Sequence, residues 1–214
     1  MEDTYRHKGM RRKLIDALKE RGIKDQNVLD AIDKVPRHFF LDLAFVNQAY
    51  SNVAFQIGAG QTISHPYTVA FQTELLKVEK GHRILEIGTG SGFQTAILCA
   101  IGARVVSIER QRELFQKAKR IIYALGFTPK LFYGDGYKGK SSYAPYDSVI
   151  VTCGAPFLPE AIKEQVKPGG RIIIPIGKND QQVMTVYEHK GEGVWDKSEY
   201  GDFSFVPMLE KTAK

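Results

Sequence analysis

Cysteine and tryptophan are scarce here, two and one in 214 residues, and no apolar run approaches the length that spans a bilayer. Cys99 and Cys153 make no metal-ligand spacing and lie among apolar neighbours, so both read as small core or pocket-lining side chains and no metal is expected. Internal repeats, low-complexity stretches and linker-like segments are also missing. The residues Met1 to Arg6 lack the apolar region of a signal peptide, which makes a reducing cytoplasm the expected compartment. Acidic residues are in a small minority, 24 against 30 Lys and Arg, for a net charge of +6. The resulting pI of about 9.2 raises the question of nucleic acid. The basic residues are dispersed, however, and the densest group, Arg11-Arg12-Lys13, reads as a solvated helix start. Neither a nucleic-acid partner nor a membrane is expected.

What is present is an ordinary globular composition, 43% hydrophobic and 25% charged, long enough to bury a core without disulfides. Leu14, Ile15 and Leu18 recur at helical spacing before Gly22, and Val28, Leu29, Ile32 and Val35 repeat the pattern before Pro36. Residues 39–66 show no clear period and suit a loop or cap. A helix is expected from about Thr68 to Leu76.

From residue 81 short apolar runs alternate with amphipathic segments. The strand candidates are Arg83–Ile87, Arg104–Glu109, Pro129–Tyr133, Tyr146–Thr152 and Arg171–Ile176. Helices are expected over Phe93–Ile101, Arg112–Leu125 and Leu158–Val166, with Pro168-Gly169-Gly170 as a turn. Gln182–His189 alternates like an antiparallel strand, and Trp195–Leu209 adds a last one. This alternation predicts a single α/β domain around a doubly wound, mostly parallel, Rossmann-like sheet. Residues 1–80 are expected to form an N-terminal helical cap that includes the irregular loop, and 81–214 the Rossmann-like core, with the C-terminal strands antiparallel.

Gly88-Thr89-Gly90-Ser91-Gly92 stands where the first strand of that core hands over to a helix. Glycines there allow a tight turn and close approach of backbone N–H groups to a ligand. The spacing is G-x-G-x-G, not the G-x-G-x-x-G of a dinucleotide site, and the Gly-Lys-Ser/Thr of a phosphate loop is absent. Glu86 precedes the turn. Glu109 closes the second strand, where a carboxylate can accept both hydroxyls of a ribose. Asp135, between Gly134 and Gly136, follows the third strand, as a contact for an adenine amino group or as a turn former.

Together these residues resemble the class I methyltransferase family, which binds S-adenosylmethionine in this manner. The resemblance implies cofactor contacts at Glu86, Gly88, Thr89, Gly90, Ser91, Gly92, Glu109, Asp135 and Gly136. A narrower resemblance runs from Val35-Pro36-Arg37 through Gly60-Gln61-Thr62-Ile63-Ser64-His65-Pro66, the glycine turn and Pro168-Gly169-Gly170-Arg171 to Phe205-Val206-Pro207. These segments are similar to the protein-L-isoaspartate O-methyltransferases, which esterify the misplaced α-carboxylate of isoaspartyl residues in aged proteins and release S-adenosylhomocysteine. That resemblance implies Ser64 as the active-site residue, and Thr62, Ile63, Ser64, Val206 and Pro207 as contacts of the isoaspartyl peptide. A monomer is expected. Asn52, Thr152–Pro156 and Met208 depart from the family's common pattern. The rival expectation, a methyltransferase acting on RNA or a small molecule, rests on the basic pI, and the stretch Thr152-Cys153-Gly154-Ala155-Pro156 lacks the acceptor pair of base-amino methylation. His65 reads as a surface residue.

Overall fold

The computed structural model describes residues 2–178 and 181–213. Two helices open the chain, α1 (Tyr5–Glu20) and α2 (Gln26–Lys34). Asp25 starts α2 by accepting hydrogen bonds from the Asn27 and Val28 N–H groups. Glu74, on α3 (Pro66–Leu76), accepts from the Lys24 and Asp25 N–H groups at 2.7 Å each and ties this turn to the next helix. The aperiodic stretch between α2 and α3 contains two short 3-10 turns and a small antiparallel hairpin, β1 (Phe55–Gly58) with β2 (Gln61–Ile63). A hairpin this short buries only Phe55 and Ile57 along its first strand, too few residues for a period to be legible. Pro66 occupies the first turn of α3, and the Tyr67 N–H donates to Asn52 Oδ1 at 2.9 Å.

The main sheet holds β3 (Arg83–Ile87), β4 (Arg104–Glu109), β5 (Lys130–Tyr133), β6 (Tyr146–Val151), β7 (Val166–Lys178), β8 (Gln181–Gly191) and β9 (Val194–Phe203). Their order is β5-β4-β3-β6-β7-β8-β9. The first five are parallel to one another, and β8 and β9 run antiparallel. The expected doubly wound sheet with antiparallel C-terminal strands is therefore what forms. Helices α4 (Phe93–Ile101) and α5 (Arg112–Ala124) cover one face. Leu14, Leu18, Val28, Leu29 and Ile32 from the N-terminal helices join Phe93, Ile97, Leu114 and Ile122 in a common core. The opposite face buries Leu85, Ile87, Val106, Ile108, Val149 and Val151. With both faces covered, the central strands are mostly apolar, and the polar residues Glu86, Ser107, Glu109 and Ser148 within them are buried with the rest.

The last expected strand, Trp195–Leu209, ends at Phe203, and two further local expectations fail. The helix Leu158–Val166 shrinks to a single turn, α6 (Glu160–Lys163). Buried Gln165 ends it by donating to the carbonyls of Lys138 and Ala161 and accepting from the Lys140 N–H, and Val166 already belongs to β7. Pro168-Gly169-Gly170 lies inside β7 as a bulge, since Tyr146 pairs with Val166 while Ser148 pairs with Arg171. Any Cβ on Gly170 would sit 2.6 Å from the Asp147 carbonyl, so only glycine lets the strand return to register there.

Candidate active site

Strand order reverses between β3 and β6, and the crevice beyond their carboxyl ends is where open α/β sheets bind ligands. A cleft lies there, lined by residues from several separate segments of the chain. Its walls bring together Thr62, Ile63 and Ser64 before α3, the turn Gly88 to Ser91, Glu109 at the end of β4, Gly136 after β5 and Val206-Pro207 from the tail.

The glycine turn is shaped by its neighbours. Gly88 adopts φ +98°, and a Cβ there would meet Thr152 Oγ1 at 2.5 Å. Gly92, at φ +90°, packs its bare Cα side on Ile122 of α5 and is not on the cleft wall. Most of the loop's N–H groups face inward. Gly88 and Thr89 donate to the Ile108 carbonyl, Gly92 to the Thr89 carbonyl, and Gly90 to Glu109 Oε2 at 2.8 Å. Donors already committed to the protein cannot cradle a phosphate. The turn therefore suits a cofactor without phosphate, which is a finer reason than the glycine spacing alone.

Glu109 is buried yet on the cleft wall, and its second oxygen accepts from the Gln111 N–H at 2.7 Å. Burial raises its carboxyl above the ordinary range, while the N–H donors pull it back. Glu86 sits behind the wall. It is fully buried, accepts from Thr95 Oγ1 at 2.5 Å, and leaves Oε1 without a partner. Burial pushes it up to about 7. Asp135 is also off the wall: its oxygens accept from the N–H groups of Tyr137 and Lys211, both at 3.0 Å. It thus forms its own turn and anchors the tail, while Gly136 lines the cleft, with so little room that a Cβ would stand 2.4 Å from Ile87.

The tail leaves the sheet after β9 and crosses the carboxyl ends of the strands. Gly154 donates to the Val206 carbonyl at 2.9 Å, and Met208 donates to the Gly154 carbonyl at 2.7 Å. This short parallel bridge, Gly154 to Pro207, sets Val206, Pro207 and Met208 against the cleft. Cys153 lines it too, and burial pushes its thiol up to about 12, so it stays protonated and unreactive.

Ser64 is half-buried on the wall, and among the described residues its hydroxyl has no hydrogen-bond partner. It does not cap α3, whose cap position is His65, an exposed side chain. Three polar residues near the cleft escape a reading by motif. Gln72 and Gln94 line it from the buried faces of α3 and α4, Gln72 donating to the Val151 carbonyl and Gln94 to Thr73 Oγ1. Arg37 lies behind the Ser64 loop and donates to the Ser64 carbonyl at 2.9 Å. Amides inside otherwise apolar helical runs are the signal that could have revealed the first two. Arg37 carries no such mark, because only the fold shows that it is buried.

A mostly parallel sheet with a carboxylate-guarded, non-phosphate turn at its reversal point defines the class I methyltransferase architecture. The family model for protein-L-isoaspartate(D-aspartate) O-methyltransferase (PCMT) matches residues 9–213, and the chain belongs to that family. The protein-L-isoaspartate O-methyltransferase of Flavobacterium psychrophilum is 56% identical over 98% of this chain and 99% of its own length. That of Salinibacter ruber is 45% identical over 97% and 94%. A solved protein-L-isoaspartate O-methyltransferase superposes with a TM-score of 0.85 at 31% identity, covering 92% of this chain and 65% of that one. The structure of a beta-aspartate methyltransferase (PCMT) from Plasmodium falciparum, in complex with S-adenosyl-L-homocysteine, gives a TM-score of 0.82 at 25% identity over 93% and 98%.

Proposed function

We propose that this chain transfers a methyl group from S-adenosylmethionine to the α-carboxylate of L-isoaspartyl residues in damaged proteins and peptides. The observation that carries the reading is that the acceptor loop Thr62-Ile63-Ser64 and the donor turn Gly88 to Ser91 share one cleft. When bound, the cofactor supplies a methyl group on a cationic sulfur that leaves as a neutral thioether. The chain needs no strong general base, since a carboxylate with a pKa near 4 is already ionised at neutral pH. Its task is to hold two reactants in line away from water. The Ser64 hydroxyl donates to one carboxylate oxygen of the acceptor, with Thr62, Ile63, Val206 and Pro207 around the peptide. Glu109 accepts from the ribose hydroxyls, and Gly88, Thr89, Gly90, Ser91 and Gly136 form the cofactor's bed. Glu86, Gly92 and Asp135 support that bed from behind, through α4, α5 and the tail respectively. The ester then closes to a succinimide as the adjacent backbone nitrogen displaces methanol, and hydrolysis returns some normal aspartate.

The division near residue 80 then separates an acceptor-side cap from a donor-side core. The same reading makes the protein a cytoplasmic monomer without a nucleic-acid partner. Among the described residues no helix is long and apolar enough to cross a membrane.

The test is transfer of labelled methyl to an isoaspartyl peptide, giving a base-labile ester, with the normal aspartyl peptide inert. An unlabelled isoaspartyl peptide alongside tight cofactor binding would end the repair reading and leave the fold. In the same assay Ser64→Ala loses a hydrogen bond to a charged group, about 1.5–3 kcal/mol, so turnover falls roughly 10- to 100-fold with cofactor affinity unchanged. Loss of cofactor affinity in that variant would remove Ser64 from the acceptor side.

A further inference from the structure

Among the described residues two arginines are buried, and only one of them has a counter-ion there. Arg11 donates to Asp3 through both terminal nitrogens and lies 3.5 Å from Asp33. Arg37 is 1% exposed and forms no ion pair among the described residues. Its Nη1 donates to the Ser64 carbonyl at 2.9 Å and its Nη2 to the Val53 carbonyl at 3.0 Å, while Nε has no partner. The guanidinium lies 5.2 Å from the ring centroid of Phe93, a cation–π contact. Burial pushes it down to about 9, so it remains charged at neutral pH.

A buried charge without a carboxylate is expensive, and an apolar side chain of similar volume would fill the space without that cost. Packing therefore does not explain the residue. Its contacts do point somewhere. Val53 leads into the β1–β2 hairpin, Ser64 ends the acceptor loop, and Phe93 is the first residue after the glycine turn. One rigid, planar fork thus joins the acceptor loop to the start of α4. The uncompensated charge is also one peptide group away from the Ser64 hydroxyl, whereas both buried glutamates, Glu86 and Glu109, flank the donor turn. The buried charged groups are thus divided, a cation behind the acceptor loop and carboxyls around the donor turn.

Building on the proposed carboxylate acceptor, we infer that Arg37 is a positioning residue that sets the Ser64 loop against the cofactor turn and draws the anionic acceptor to that end of the cleft. It acts through the Ser64 and Val53 carbonyls, since its own side chain does not line the cleft.

The test compares Arg37→Met and Arg37→Lys with the wild-type chain, measuring the KM and kcat for an isoaspartyl peptide, the Kd for S-adenosylhomocysteine, and hydrogen exchange over residues 53–64. Arg37→Met should raise the peptide KM at least tenfold, keep the Kd within twofold, and speed exchange over 53–64 but not over 88–92. Arg37→Lys, which keeps the charge and loses the fork, should recover part of the KM and little of the exchange protection. A merely structural arginine would lower the thermal midpoint and the active fraction, leaving KM untouched, and that result overturns the inference. If Arg37→Met does not fold, Arg37→Lys decides: wild-type KM together with wild-type exchange sinks the proposal. Should the wild-type chain leave the isoaspartyl peptide unmethylated, the functional reading fails by itself. The exchange pattern then still tests whether Arg37 orders the loop.

Discussion

Glu86 and Glu109 flank the same turn, but the chain treats their charges differently. Glu109 receives backbone N–H groups, which stabilise its ionised form. Glu86 receives hydroxyls, Thr95 above all, and keeps one buried oxygen unpartnered. Its carboxyl is consequently raised from 4.5 to about 7. For an acid whose pKa is higher folded than unfolded, the folded state binds the extra proton, so stability is complete below pH 4.5 and is lost as pH climbs through 7. A shift of that size corresponds to at most about 3 kcal/mol. Glu86→Gln should therefore gain thermal stability over wild type progressively between pH 5 and 8, with little difference near pH 4.5. A difference in melting temperature that stays flat across this range would show that Glu86 is ionised throughout.

At the scale of elements, α1 shows how tertiary contact overrides a surface reading. Arg11 falls on the buried stripe with Leu14 and Leu18, so the basic trio is neither wholly solvated nor at the helix start. Its Nη1 also donates to the Tyr50 hydroxyl, which lies 2.8 Å from His38 Nδ1. The His38 ring stacks on His7 at 3.9 Å between centroids, which latches α1 to the segment after α2. Burial lowers the His38 pKa, with the neighbouring His7 and Arg11 adding to the effect against a smaller pull from Asp3 and the Glu2 carbonyl. A base held below its ordinary value contributes stability that is present above pH 6.5 and is lost as pH falls through the folded pKa. Amide exchange in α1, corrected for intrinsic rates, should accelerate between pH 7 and 5. In His38→Gln this acceleration should vanish, and its persistence would shift the cause to another group.

On the scale of the whole molecule, segments far apart in sequence, from Thr62 to Pro207, close one cleft, and the N-terminal helices share a core with α4 and α5. A ligand in that cleft should stabilise the entire chain. S-Adenosylhomocysteine at 100 times its Kd contributes about 2.7 kcal/mol, which in a domain of this size raises the melting temperature by about 5–11 °C. Protection from exchange should extend to residues 62–64 and 206–209 as well as to the glycine turn. Protection confined to residues 81–136 would mean that the acceptor loop and tail do not close on the bound cofactor.

What the sequence determined by itself was local. A strand, a glycine turn and a helix follow one another over residues 83–101, and Glu109 ends the next strand, so period and turn chemistry made the donor side legible without coordinates. The position of the acceptor loop was readable only through family likeness, since Thr62-Ile63-Ser64 has no periodicity that aims it at a cleft. Tertiary structure decided the rest. It placed Glu86 and Asp135 behind the wall, stitched Val206-Pro207 to Gly154, and ordered β7, β8 and β9. The bonds responsible are long-range, such as Arg37 to Ser64 across 27 residues and Gln72 to Val151 across 79. Whether a polar side chain is solvated or buried depends on partners at such distances, and a local pattern carries no record of them.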